Sequence, residues 1–177
     1  MKIVAFGASY SKQSINKRLA GFVAHQFGDH TVDVLDLNDY ELPVFTVDLE
    51  NEIGHPEIIQ QFLQKLDSAD LIIISMAEHN GSYTAAFKNL FDWTSRVKLN
   101  MFENKKLLLL STSPGGRGAE SSLKTAFERF PRHGATIIDQ YSLPNFHENF
   151  DAEKGILQQE KNTQLQKIIN RIKTDLA

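Results

Sequence analysis

The chain has 177 residues, 41% apolar and 23% charged, which suits one soluble globular domain with a sizeable core. A net charge of -3 is too mild for a nucleic-acid-binding surface or an acidic tail, and the absence of cysteine excludes disulfides, thiolate nucleophiles and cysteine-based zinc sites. No apolar run approaches membrane-spanning length, and the N-terminus turns polar too soon for a signal peptide, so a cytoplasmic protein without membrane or nucleic-acid partners is expected.

The first stretch, Lys2 to Ala20, organises the rest. Ile3-Val4-Ala5-Phe6 is an uncharged apolar run, as in a strand covered on both faces. A hydroxyl-rich turn follows, with Ser9, Tyr10, Ser11 and Ser14. Ile15, Leu19, Phe22, Val23 and Phe27 then share one helical face, so a helix is predicted from Ser14, its N-cap, to Phe27. Backbone N–H groups and hydroxyls at the positive end of a helix dipole suit a phosphate, although an ordinary strand-turn-helix reads the same way. The turn carries neither a P-loop nor a G-x-G-x-x-G pattern.

Thr31 to Leu37 alternates in part, as an edge strand does, and Tyr40 to Phe45 is a loop with an apolar portion. Asp48 to Pro56 reads as polar and turn-like. Pro56 suits a first helical turn, and Ile58, Ile59, Phe62, Leu63 and Leu66 form a stripe ending near Asp67. Asp70 to Ser75 is the clearest buried strand. A loop from Met76 leads to a helix over Ala85 to Arg96. Leu107 to Leu110 is another buried strand, followed by a glycine-rich loop, Ser111 to Ala119, and a helix over Ser121 to Arg132 stopped by Gly134. Thr136 to Ile138 reads as a short strand, Asn145 to Gly155 as irregular, and Gln158 to Leu176 as a last helix with Leu165, Ile168, Ile169 and Ile172 on one side.

Strands alternating with helices predict a three-layer, doubly wound α/β domain over residues 1–177, with five parallel strands in the flavodoxin-like order 2-1-3-4-5. The loops rich in Gly, Ser and Asn follow the first, third and fourth strands. All three then meet at the carboxyl edge, at the switch point where open α/β sheets bind ligands.

Asn80-Gly81 is a turn dipeptide that accepts positive φ, and Gly81 lets backbone approach a flat ligand. His79 alone is an ordinary loop histidine, and no second ligand stands at metal spacing. Phe87, Phe91 and Trp93 read as core or interface packing. Gly115, Gly116 and Gly118 imply a tight turn or close backbone approach to a ligand.

Together the three loops resemble the NADPH-dependent FMN reductase family. Its first pattern, roughly G-S-x-R-x-x-S-x-N, matches Ala8 to Asn16 with Ala8 in place of glycine and Ser11 in place of arginine. The second, P-E-Y-N-x-S followed by L-K-N, matches Ala77-Glu78-His79-Asn80-Gly81-Ser82 and Phe87-Lys88-Asn89. The third, S-x-S-P-G-G-x-G, matches Ser111 to Gly118. The resemblance implies FMN as cofactor and NAD(P)H as co-substrate. It places the FMN phosphate at Ser9, Ser11, Ser14, Ile15 and Asn16. The ribityl chain and ring fall at Glu78, His79, Asn80, Gly81 and Ser82, and the pyrimidine edge at Ser113, Pro114, Gly115, Gly116 and Gly118.

Hydride would pass from NAD(P)H through the flavin to a quinone, azo compound, metal oxyanion or free flavin. No acid–base side chain and no metal is required, so no catalytic residue is expected. The alternative is a flavodoxin-type electron carrier. Such carriers are strongly acidic, whereas this chain is near neutral with Lys167, Arg171 and Lys173 on its last helix. The resemblance also implies a homodimer or homotetramer, for which Phe87, Phe91, Trp93, Met101 and Phe102 offer a candidate apolar patch.

Overall fold

The computed structural model describes residues 1–176. In chain order the elements are β1 (Lys2–Gly7), α1 (Ile15–His25), β2 (Thr31–Val34), a 3-10 turn (Leu37–Tyr40), α2 (Val47–Ile53), α3 (Glu57–Asp67), β3 (Leu71–Met76) and α4 (Ala85–Val97). Then come β4 (Lys105–Thr112), α5 (Glu120–Arg129), a 3-10 turn (Phe130–His133), β5 (Ala135–Leu143), α6 (Phe146–Asn149), β6 (Phe150–Asp151), β7 (Gly155–Ile156) and α7 (Gln159–Leu176). The main sheet has the predicted order β2-β1-β3-β4-β5, every neighbouring pair being parallel.

Side chains alternate across a strand, so each apolar run feeds two cores. Val4, Phe6, Ile72, Ile74, Leu107 and Leu109 face α3, α4 and α5. Ile3, Ala5, Leu71, Ile73, Leu108 and Leu110 face α1 and α7. Both faces are covered, which is why these strands tolerate no charge. β2 lies at an edge and is only half-buried.

Four expectations change. The stretch read as turn-like contains helix α2. It buries no residue, so it carries no apolar stripe to read. Instead, Thr46 Oγ1 accepts from Leu49 N–H (3.0 Å), and Glu50 takes Arg96 Nε on both carboxylate oxygens at 3.0 Å. β5 runs nine residues rather than three; polar Asp139 and Gln140 interrupt its pattern because it is the other edge strand. The segment read as irregular holds α6 and the β6–β7 hairpin, packed through buried Phe146 and Phe150. Finally, Phe87, Phe91, Trp93, Met101 and Phe102 are all buried in the monomer core and offer no surface patch.

Candidate functional site

Gly7 ends β1 against the first turn of α1. A Cβ built there would lie 2.3 Å from the Lys17 backbone nitrogen, so only glycine lets the helix start this close to the strand. Ser14 is the N-cap, and its Oγ accepts from Lys17 N–H at 3.1 Å. The N–H groups of Ile15 and Asn16 find no acceptor among the described residues, and no acidic side chain occupies this first turn. Ser9 Oγ accepts from Ser11 N–H at 3.1 Å, which folds the turn so that both hydroxyls stand beside the helix start.

The buried Asn16 side chain is structural. Its Nδ2 donates to Thr112 O (3.1 Å), while its Oδ1 accepts from Thr112 N–H (3.1 Å) and Ser75 Oγ (2.7 Å). It thereby ties the first loop to the ends of β3 and β4. Lys17 points elsewhere, pairing with Asp36 at 2.6 Å. That hydrogen bond, helped by Asn38 N–H, holds the Asp36 carboxyl down at about 2. Tyr10 donates to Tyr40 O (2.8 Å); burial, and then the charge of Glu41, push its phenol up to about 12.

In the second loop, His79 and Ser82 exchange backbone hydrogen bonds of 3.0 and 3.1 Å around Asn80 (φ 53°) and Gly81 (φ 77°). Two consecutive positive φ values make the two-residue hairpin turn that Asn-Gly favours. Thr84 Oγ1 donates to Ala8 O (2.9 Å) and accepts from Phe87 N–H (3.2 Å), so it joins this loop to the first while capping α4. Glu78 reaches α5 instead: its Oε2 accepts from Ser122 N–H at 3.0 Å, closing the start of that helix.

The third loop is braced from below. Gly118 O accepts from Ser111 Oγ (2.6 Å) and Ser142 Oγ (3.0 Å). A Cβ on Gly118 would lie 2.3 Å from Ser142 Oγ, and its φ is +59°. A methyl group placed on Gly115 would have no neighbour within 4 Å, and one on Gly116 would meet only Asn145 Oδ1 at 3.7 Å, so neither glycine is required by packing.

The three loops enclose a groove of about 240 Å³. Of the residues expected from sequence, Ser9, Ser11, Ser14, Ile15, Asn16, Glu78, His79, Ser113 and Pro114 line it. Asn80, Gly81, Ser82, Gly115, Gly116 and Gly118 do not. Sequence reasoning missed Gln13, Ala77, Thr112 and His147, which also line it. His147 had no signal, because it sits on the short helix hidden in the apparently irregular segment. Next to the groove, beyond Tyr10, lies a cavity of about 530 Å³ walled by Leu42, Pro43, Val44, Ala85 and Ala86, with Glu41 and Asn89. Asn89 and Trp93 hold this wall in place through Leu42 O and Pro43 O.

Free N–H groups at a helix start, two serine hydroxyls and a glycine-enforced close approach form a donor set suited to a phosphate monoester. Its extension between the loops suits the rest of a mononucleotide. The described residues hold no cluster of three or more His, Asp or Glu that could bind a metal, and no described helix is long and apolar enough to cross a membrane.

Comparison with known proteins agrees with this geometry. Residues 1–148 match the family model "NADPH-dependent FMN reductase". An uncharacterised protein of Mycoplasma pneumoniae is 27% identical over 90% of this chain and 93% of its own. An NADPH:quinone oxidoreductase of Arabidopsis thaliana is 33% identical over 51% of this chain, which spans only 44% of that protein. Among solved structures, the flavoenzyme NAD(P)H:(acceptor) oxidoreductase FerB of Paracoccus denitrificans superposes with a TM-score of 0.75 at 21% identity, covering 99% of this chain and 96% of that one.

Proposed function

The chain belongs to the NADPH-dependent FMN reductase family, and we propose that it is an FMN-dependent NAD(P)H oxidoreductase that reduces a quinone. The observation that carries this reading is the open start of α1, with its free N–H groups and paired serines in the same groove as the second and third loops. FMN, when bound, supplies a ring that accepts hydride and passes two electrons onward. The chain's part is to bind and orient. Ser9, Ser11 and the N–H groups of Ile15 and Asn16 hold the phosphate, and the Ser14 cap keeps that turn in shape. His79, Ser113 and Pro114 wall the groove along which the remaining cofactor lies. Asn80, Gly81, Ser82, Gly115 and Gly116 would meet the flavin ring beyond that wall, and Gly118 braces the third loop through the hydroxyls of Ser111 and Ser142.

Acceptor choice follows from the neighbouring cavity. Its apolar walls carry no Lys or Arg, and Glu41 adds negative charge. An apolar ring such as a quinone suits it better than a metal oxyanion; azo compounds and free flavin are the next acceptors to assay. The reading keeps a cytoplasmic homodimer or homotetramer, built on surface other than the five side chains taken up by the monomer core. Light scattering at micromolar concentration decides that point.

The test is a visible spectrum of the purified protein, then anaerobic titration with NADH and NADPH. A flavin spectrum that bleaches on nucleotide addition and returns with a quinone is expected. Bound flavin that neither nucleotide bleaches would make the protein an electron carrier instead.

A further inference from the structure

If the groove holds a flavin mononucleotide, its phosphate needs more than amides and hydroxyls, since such a group carries about -1.5 to -2 charge at pH 7. No Lys or Arg lines the groove, and Glu78 is already there. Ser11 stands where the family pattern has arginine. Lys12, Lys17 and Arg18 line a neighbouring recess of about 420 Å³, which shares Gln13 and Ser14 with the groove but gives it none of these three cations. Lys17 is held by Asp36, and the Arg18 guanidinium lies over the rings of Phe146 (5.2 Å) and Phe150 (5.5 Å).

The groove's far wall carries His147, on α6. Three hydrogen bonds lock that turn: Asn145 N–H to Gly115 O (3.0 Å), Phe146 N–H to Ser113 O (3.0 Å) and Asn149 Nδ2 to Pro144 O (2.9 Å). Phe146 is buried and stacked on Phe150 at 4.8 Å, and Arg18 over both rings ties α6 to the first two turns of α1. The His147 ring meets Phe146 edge to face at 5.7 Å and makes no hydrogen bond among the described residues. Its ring N–H is thus free, on a rigid turn, in the groove that the α1 start opens into.

We infer that His147 donates to the phosphate of the bound mononucleotide, taking the place of the guanidinium that Ser11 lacks; this rests on the flavin reading above. The other charged or titratable groups around it are Glu148 on its own helix, Arg18 from α1, Glu78 and His79 from the second loop, and Asp151 just after α6.

The test compares FMN with riboflavin, which has the ring but no phosphate, by quenching of flavin fluorescence. His147→Ala should raise the FMN dissociation constant about tenfold, as expected for losing one hydrogen bond to a charged group. Riboflavin binding should not move. His147→Lys should restore most of the FMN affinity. Equal FMN affinity in wild type and His147→Ala overturns the assignment alone, as does a matching loss for riboflavin. A wild-type protein that takes up no FMN overturns the flavin reading and this assignment with it.

Discussion

Two helices begin at the carboxyl edge of the sheet beside the same groove, and their positive ends are treated in opposite ways. At α5, Ala119 sits in the left-handed region (φ 62°) and supplies no cap. The protein compensates from within: Glu78 accepts from Ser122 N–H, and Glu120 occupies the first turn. At α1, Ser14 satisfies one N–H, no carboxylate approaches the first turn, and Ile15 and Asn16 keep theirs free. Equal dipoles therefore leave unequal sites. An external anion is attracted to α1, while the start of α5 is already neutralised by a carboxylate of the chain itself.

The largest break in this contrast should come from Gly7. Gly7→Val pushes a side chain into the backbone of Lys17, which cannot yield as a flexible side chain could. A loss of about 3 kcal/mol is expected from overpacking, together with loss of FMN binding; denaturant melts and flavin titration read both. Asn16→Ala comes next. It leaves Ser75 Oγ and both Thr112 backbone groups without a partner, so about 2 kcal/mol should go. A stability close to wild type would mean that water replaces the clip.

Ser9→Ala combined with Ser14→Ala tests the anion site itself. FMN affinity should fall about tenfold, on the scale of 1.4 kcal/mol, and an unchanged dissociation constant removes the phosphate from this turn. Glu78→Ala sharpens the comparison from the other helix. Uncapping α5 should cost about 1 kcal/mol in thermal stability and loosen FMN less than the serine pair does. The reverse ranking would make α5 the anion-binding end.

The smallest effect concerns Asp36. Its carboxyl, ordinarily at 3.8, is held at about 2 mainly by the Lys17 hydrogen bond. A depressed carboxyl stabilises the fold above its unfolded value, and that contribution is lost as the pH falls from about 4 through about 2. The pair is about one-third exposed, so solvent limits it to under about 1 kcal/mol. Asp36→Asn should therefore melt slightly below wild type at neutral pH, and the two curves should converge near pH 2.

The glycines of the third loop show where sequence reading stops. Side by side in the chain, Gly115, Gly116 and Gly118 carry the same signal. Only Gly118 is demanded by its surroundings, because Ser142 and Pro144 of the β5 end lie against it. A Cβ at Gly115 would meet nothing within 4 Å and one at Gly116 only Asn145 Oδ1 at 3.7 Å, so packing within the chain does not demand either glycine.

What the sequence alone determined was the strand–helix alternation, the strand order and the three loops at one edge. These follow from local periodicity: runs apolar on both faces must be covered on both faces, and Ser14 or Asn80-Gly81 act on their own backbone. The tertiary structure alone decided what each polar residue does. It gave the Asn16 side chain to Thr112, 96 positions away, and Glu78 to Ser122, 44 positions away. It also folded α2 without an apolar stripe and brought His147 into the groove. A hydrogen bond between distant residues leaves no period in the chain, because its partner is chosen by the packed sheet and not by neighbours in sequence.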